Sequence, residues 1–437
     1  MVIEEKIDAA PMTSLQVTVV VVCFLLNLQD GYDIVAIAYA APAISSSWQV
    51  SMATLGVLFG AGLAGMMLGA LALAPLTDVF GRRRMIIGAL ILISLTMFGA
   101  AGASDVRQLM VWRFLTGIGI GSMLASLTSL VSEFTPKRHR NFAIGVVQAG
   151  YPCGATFGGF LASWILPNYG WTTLFNVGGF ISLAMLPLVL MLLPESVQFL
   201  ARRGGTGSLE RVNSALLRIR QEPLAALPPV DSALTAGPLS LLSSGYRLRT
   251  FWLWLAFLLT YFTLYFLISW VPKLFVDSGF PVSQGLQAGI ALNFGAILGV
   301  VSLGFIADRK RLSQVISAFC VFGAISMILF GLAPSEILVL LGLTFLIGFF
   351  AQGGFSGLYA VAARVYPADI RTTGVGWAIG IGRFGAVAGP YVGGLLATNS
   401  WSMAALFIFF AIPLLAASWA VARMPISSNG ADESYSL

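Results

Sequence analysis

Two aspartates three positions apart, Asp30 and Asp33, stand inside an otherwise apolar run from about Leu15 to Ala41, and two arginines, Arg113 and Arg383, stand inside apolar runs of their own. Positions i and i+3 of a helix share one face, so the two carboxylates lie about a turn apart. Two close carboxylates in a poorly hydrated site cannot both ionise cheaply, which suits the pair to carrying a proton. An Asp at the bilayer centre costs roughly 2.5–3.5 kcal/mol on insertion scales, and crossing the membrane does not require it. The plainer alternative is that the acids only neutralise buried arginines. Guanidinium is always charged and grips a carboxylate through two parallel hydrogen bonds, so one arginine in each half of the chain suits an anionic substrate. An internal ion pair with an aspartate is equally open to Arg113. No acid shares the apolar span of Arg383, which makes it the better substrate ligand.

Other residue types add to these four. Gln148, Asn293 and Gln352 are intramembrane amides that can orient a ligand, although hydrogen bonds between helices use the same side chains. Tyr151, Tyr265, Phe355, Tyr359 and Phe384 can offer ring faces, within a larger aromatic set (Tyr32, Tyr261, Trp270, Trp377) that mostly serves packing and the interfacial belts. Gly31, between the acids, can let the helix bend or a ligand approach closely. His139 is the one histidine and lies in a basic loop, and Cys23, Cys153 and Cys320 lack metal-ligand spacing. No nucleophile–base pair or metal cluster is visible, so neither an enzyme nor a cofactor is expected; the coupling ion would be the proton.

The elements that must position these residues are membrane helices. Of 437 residues, 58% are hydrophobic and 10% charged, against roughly 25% charged in soluble domains. Apolar runs predict twelve helices, at 15–41, 52–76, 84–103, 106–133, 141–166, 171–193, 250–276, 284–307, 312–332, 335–364, 371–398 and 401–423. The expected fold class is therefore an all-α membrane protein with twelve transmembrane helices in two pseudo-symmetric six-helix bundles, 1–193 and 250–437. Residues 194–249 form a central loop in which Leu209, Val212, Leu216 and Ile219 recur at helical spacing. Positive residues gather in alternate loops (Arg82-Arg83-Arg84, Lys137-Arg138, Arg309-Lys310-Arg311) and in the central loop. This positive-inside pattern puts those loops and both termini on the cytoplasmic side of a plasma (inner) membrane. The net charge of +6 thus reports topology and not a nucleic-acid partner. An acidic start, Met-Val-Ile-Glu-Glu-Lys, argues against a removable signal peptide.

The halves repeat one another. Ala74-Pro-Leu-Thr-Asp78 and Gly304-Phe-Ile-Ala-Asp308 each precede basic residues, and Pro136 with Arg140 recurs as Pro367 with Arg371. Gly150, Gly154 and Gly158 stand four apart in the fifth span, as do Gly385, Gly389 and Gly393 in the eleventh. Such ladders let helix backbones approach closely. Asp78, Gly81, Arg82 and Arg83, with Asp308 and Arg309 in the second half, are candidate gating residues as well as topological anchors.

These motifs resemble the major facilitator superfamily over essentially the whole chain. Ala74-Pro-Leu-Thr-Asp78-Val-Phe-Gly81-Arg82-Arg83-Arg84 is similar to its loop signature between spans two and three, departing at Ala74 and Val79. Arg113 with Gly117 and Pro194-Glu195-Ser196 are similar to two further signatures. Within the superfamily, Asp30-Gly31-Tyr32-Asp33, Arg383 in its Gly-rich setting and Tyr366-Pro367 to Gly374 resemble the aromatic acid:proton symporters. The resemblance implies the major facilitator fold and inward co-transport of a proton with a hydroxybenzoate-like carboxylate; the expected protein is a monomer working by alternating access. Asp30 and Asp33 match the family's coupling acids, and Arg113 and Arg383 its residues for binding or transport. Two alternatives stay open. One is a proton antiporter exporting small organic molecules, whose glycine–proline signature is similar to Gly385-Ala-Val-Ala-Gly389-Pro390, although it stands here in the eleventh span. The other is a transporter-like acid sensor signalling through 194–249.

Overall fold

The structure, a computed structural model, describes residues 6–8, 11–73, 76–204, 207–227, 241, 243, 246–307, 312–366 and 368–424. Lipid offers no partner to a bare N–H or C=O, so apolar runs that cross a bilayer fold as helices. The first six long helices are α1 (Ser14–Trp48), α2 (Met52–Leu68, continued by a π-helical turn Gly69–Leu73), α3 (Arg82–Ala101), α4 (Val106–Phe134), α5 (Lys137–Tyr169) and α6 (Trp171–Leu192). The second six are α7 (Arg247–Asp277), α8 (Val282–Ala307), α9 (Leu312–Leu332), α10 (Ile337–Val365), α11 (Ala368–Thr398) and α12 (Met403–Arg423). No strand occurs among the described residues. Eleven of these helices are long and apolar enough to cross a membrane. The remaining one, α5, has 33 residues but carries two prolines and polar residues including Gln148, Thr156 and Asn168.

Helix ends follow local chemistry. Asp105 caps α4 by accepting from Gln108 N at 2.9 Å, and Ser402 caps α12 through Ala405 N at 3.2 Å. Gly170, at φ 78°, makes the tight turn from α5 to α6. In the central segment a short helix, Ser208–Arg218, buries Val212, Ala215 and Leu216, with Ile219 just beyond it. The amphipathic stripe therefore packs onto the protein.

The glycine ladders seat one helix on another. A methyl group on Gly154 would come within 1.7 Å of the Leu28 carbonyl oxygen, and one on Gly31 within 2.0 Å of the Tyr151 carbonyl oxygen. This binds α1 to α5. The same relation joins α7 to α11, where methyls on Gly385 and Gly389 would each lie 2.1 Å from the carbonyl oxygens of Leu258 and Phe262. Gly31 is thus a packing position in an uninterrupted helix and not a bend.

The chain divides into two compact units. The first comprises Met1–Ala36, Ala64–Gly158 and Ile165–Ala233; the second comprises Ile37–Leu63, Gly159–Trp164 and Leu234–Leu437. Within the second unit the start of α2 packs on α11: Ala53 N donates to Thr398 Oγ1 at 2.9 Å, and a methyl on Gly56 would lie 2.8 Å from the Pro390 carbonyl oxygen. Phe59 meets Trp270 edge to face at 5.1 Å. These contacts explain why segments of α1, α2 and α5 group with the later helices.

Candidate functional site

In the first unit the acids sit on α1. Asp30 and Asp33 are both buried, and Asp33 is 0% exposed. Asp33 Oδ2 accepts from Gln29 Nε2 at 3.2 Å, and the same nitrogen donates to Ser182 Oγ of α6 at 2.6 Å. Arg113 of α4 is 4% exposed. Its Nη2 donates to the main-chain carbonyl of Asp33 at 2.9 Å, its Nη1 to Met97 Sδ at 3.5 Å, and its Cζ lies 5.9 Å from the centre of the Phe175 ring. No carboxylate oxygen among the described residues lies within ion-pair distance of Arg113. The structure fastens Arg113 to the backbone beside an acid. Gly178 of α6 lets that helix reach the centre, because a methyl there would stand 2.9 Å from Asp33 Oδ1. Tyr32 donates its hydroxyl to the Leu174 carbonyl at 2.7 Å and serves packing. Tyr151 and Gln148 are half-buried on α5, where Tyr151 supplies the carbonyl on which Gly31 rests.

In the second unit Arg383 of α11 is 4% exposed and stands over the Tyr261 ring with Cζ 5.8 Å from its centre. Phe257, Tyr261 and Tyr265 recur at i, i+4 and i+8 on α7, and Phe355 and Tyr359 at i and i+4 on α10, so each set shares a face. Tyr261 and Tyr265 stack at 5.6 Å and 6°; Phe355 meets Tyr261 edge to face at 4.7 Å; the Tyr261 and Tyr359 hydroxyls hydrogen-bond at 2.8 Å. Gly382 makes room for this, since a methyl there would lie 2.5 Å from Tyr261 Cδ2. A buried guanidinium beside stacked rings can pair with a carboxylate and stack an aromatic body. Gln352 is buried on α10, three residues before Phe355. Asn293 donates to the Gly289 carbonyl on its own helix at 2.9 Å. Phe384 is 53% exposed, and among the described residues no ring contact joins it to the cluster. A residue adjacent to Arg383 points about 100° away on a helix. Phe257 and Tyr261 belong to the ring cluster with Phe355 and Tyr359.

The loop signature is built into the first unit. Gly81 has φ 97° and faces Glu195, whose Oε2 would lie 2.5 Å from a methyl at that position. Arg82 pairs with Glu133 at the end of α4 at 3.2 Å. Arg83 N donates to Glu195 Oε1 at 3.1 Å and its guanidinium to the Leu190 carbonyl. Ser196 donates its hydroxyl to Glu133. The side chain of Asp78, and all of Asp308 and Arg309, lie outside the described residues.

Gln29, Ser182 and Glu133 are the residues that sequence reasoning missed. Each is polar and stands inside or at the end of an apolar run, which was the available signal.

The family model described as Major Facilitator Superfamily matches residues 23–344 and 303–432. The 4-hydroxybenzoate transporter PcaK of Pseudomonas putida is 33% identical over 415 residues, 94% of this chain and 93% of that protein. The gallate transporter of Pseudomonas putida is 32% identical over 423 residues, 96% of this chain and 94% of that protein. Among solved structures, an inward-open xylose transporter, XylE from E. coli, aligns with a TM-score of 0.75 at 17% identity, covering 94% of this chain and 97% of that one.

Proposed function

Because this chain belongs to the major facilitator superfamily, we propose that it imports a hydroxybenzoate-like aromatic acid together with a proton by alternating access. The observation that carries this reading is the buried Arg383 over the Tyr261 ring, beside Tyr265, Phe355 and Tyr359. A benzoate-like molecule presents a carboxylate and a flat ring, the two features that this set can hold. The names of the relatives, a 4-hydroxybenzoate and a gallate transporter, support the same substrate class.

The proton belongs, on this reading, to Asp33, with Asp30 one turn away. Asp33 is buried beside a neutral amide, and the nearby guanidinium is held by a backbone carbonyl, so the carboxyl is not locked in a tight ion pair. One proton entering with one monoanion would be electroneutral. The basic loops and both termini face the cytoplasm in this proposal, and the protein acts as a monomer in the plasma membrane.

Proteoliposomes test the function. With an inward proton gradient, labelled 4-hydroxybenzoate should accumulate, and a protonophore should abolish the accumulation. Export driven by the same gradient would show an antiporter, and saturable binding without flux would show a sensor.

A further inference from the structure

A carboxyl that takes up and releases a proton needs a neighbour able to donate to it when ionised and accept from it when protonated. Gln29 and Asp33 stand one turn apart on α1, and both are 0% exposed. Gln29 Nε2 donates to Asp33 Oδ2 and to Ser182 Oγ, while Ser182 gives its own hydrogen to the Gly178 carbonyl at 2.9 Å. Both amide hydrogens are thereby used. The amide oxygen, Gln29 Oε1, is buried with no hydrogen-bond partner among the described residues.

A half-turn of an amide exchanges its oxygen and nitrogen with almost no change of shape. In the turned state the Gln29 oxygen occupies the point between Asp33 and Ser182. Its two lone pairs can accept one hydrogen from the protonated Asp33 carboxyl and one from the Ser182 hydroxyl, which can rotate away from Gly178. The hydroxyl and the amide can therefore each act as donor or acceptor, with no heavy atom moving except the exchanged amide oxygen and nitrogen of Gln29. The charged and titratable groups around this centre are Asp30 and Tyr32 on α1 and Arg113 of α4; α5 approaches α1 through the main chain of Tyr151 at Gly31. Met97 of α3 and Phe175, Gly178 and Ser182 of α6 do not titrate.

We propose that Gln29, seated on Ser182, is a positioning residue for proton coupling: it presents its amide nitrogen to the ionised Asp33 and its amide oxygen to the protonated one. This rests on the reading that Asp33 carries the coupling proton.

The test compares gradient-driven accumulation with substrate exchange in proteoliposomes across a pH series, for wild type, Gln29→Leu, Ser182→Ala, Ser182→Thr and Asp33→Asn. Gln29→Leu should flatten the pH profile and lower accumulation on the order of tenfold more than exchange, the factor carried by one unit in a proton equilibrium. Ser182→Ala should act in the same direction, and Ser182→Thr, which keeps the hydroxyl, should restore accumulation towards wild type. If Gln29→Leu fails to fold in a thermal melt, Ser182→Ala decides alone, since it removes a single oxygen. Wild-type profiles in both variants, or equal losses of exchange and accumulation in well-folded protein, would overturn the assignment. If Asp33→Asn alone is impaired, the coupling reading stands and the Gln29 role falls. If Asp33→Asn also keeps the wild-type profile, the coupling reading itself fails.

Discussion

Arg113 donates to the main-chain oxygen of Asp33, 2.9 Å away, and leaves the carboxylate to a neutral amide. We propose that Arg113 and Arg383 therefore do different work. Arg113→Gln should reduce gradient-driven uptake while changing the dissociation constant for 4-hydroxybenzoate less than Arg383→Gln does. Calorimetric titration of both variants checks this, and equal loss of affinity would place Arg113 on the substrate.

Arg383 should act through the carboxylate of the ligand. A hydrogen bond to a charged group is worth about 1.5–3 kcal/mol, so Arg383→Ala should weaken binding of 4-hydroxybenzoate on the order of ten- to hundredfold. Binding of the uncharged 4-hydroxybenzamide should change little. Titrating the variant with both compounds separates charge recognition from ring packing.

Close packing of α1 on α5 has a sharp internal control. Gly154→Ala forces a methyl to within 1.7 Å of the Leu28 carbonyl oxygen, whereas Gly145 on the same helix has nothing within 4 Å of such a methyl. Overpacking typically costs about 1–3 kcal/mol. Gly154→Ala should therefore lower the melting temperature in detergent, and Gly145→Ala should leave it unchanged or slightly raised.

These relationships divide into what periodicity and composition reveal and what they cannot. Apolar runs located the twelve helices because lipid itself selects them, and the glycine spacing exposed both close seams. The end of α1 was expected at Ala41, yet the helix runs to Trp48 with Pro42 inside it. Hydropathy marks where lipid ends, whereas the helix continues, with Ser46 and Ser47 bonding back to the Ala43 carbonyl at 2.9 and 2.7 Å. Gln29 was hidden because its meaning depends on Ser182, 153 positions away. The ring that Arg383 stands over, Tyr261 of α7, lies more than a hundred positions away in the chain, so sequence adjacency could not reveal it.

The buried Arg82–Glu133 pair joins the start of α3 to the end of α4. Removing one partner of a buried pair typically costs about 3–5 kcal/mol, because the other charge is stranded. Glu133→Gln and Arg82→Gln should each lower stability, and the double variant should lose less than the sum of the two. Additive losses in a double-mutant cycle by thermal melting would show that the pair contributes no coupling.

The central claim is that uptake of an aromatic acid carries a proton through Asp33. A pH-sensitive dye sealed inside proteoliposomes measures this directly when 4-hydroxybenzoate is added outside, with protein-free vesicles correcting for passive entry of the neutral acid. Wild-type protein should acidify the lumen as the acid enters, and Asp33→Asn should not. Acid uptake by wild type without acidification, or equal acidification by Asp33→Asn, would contradict the account.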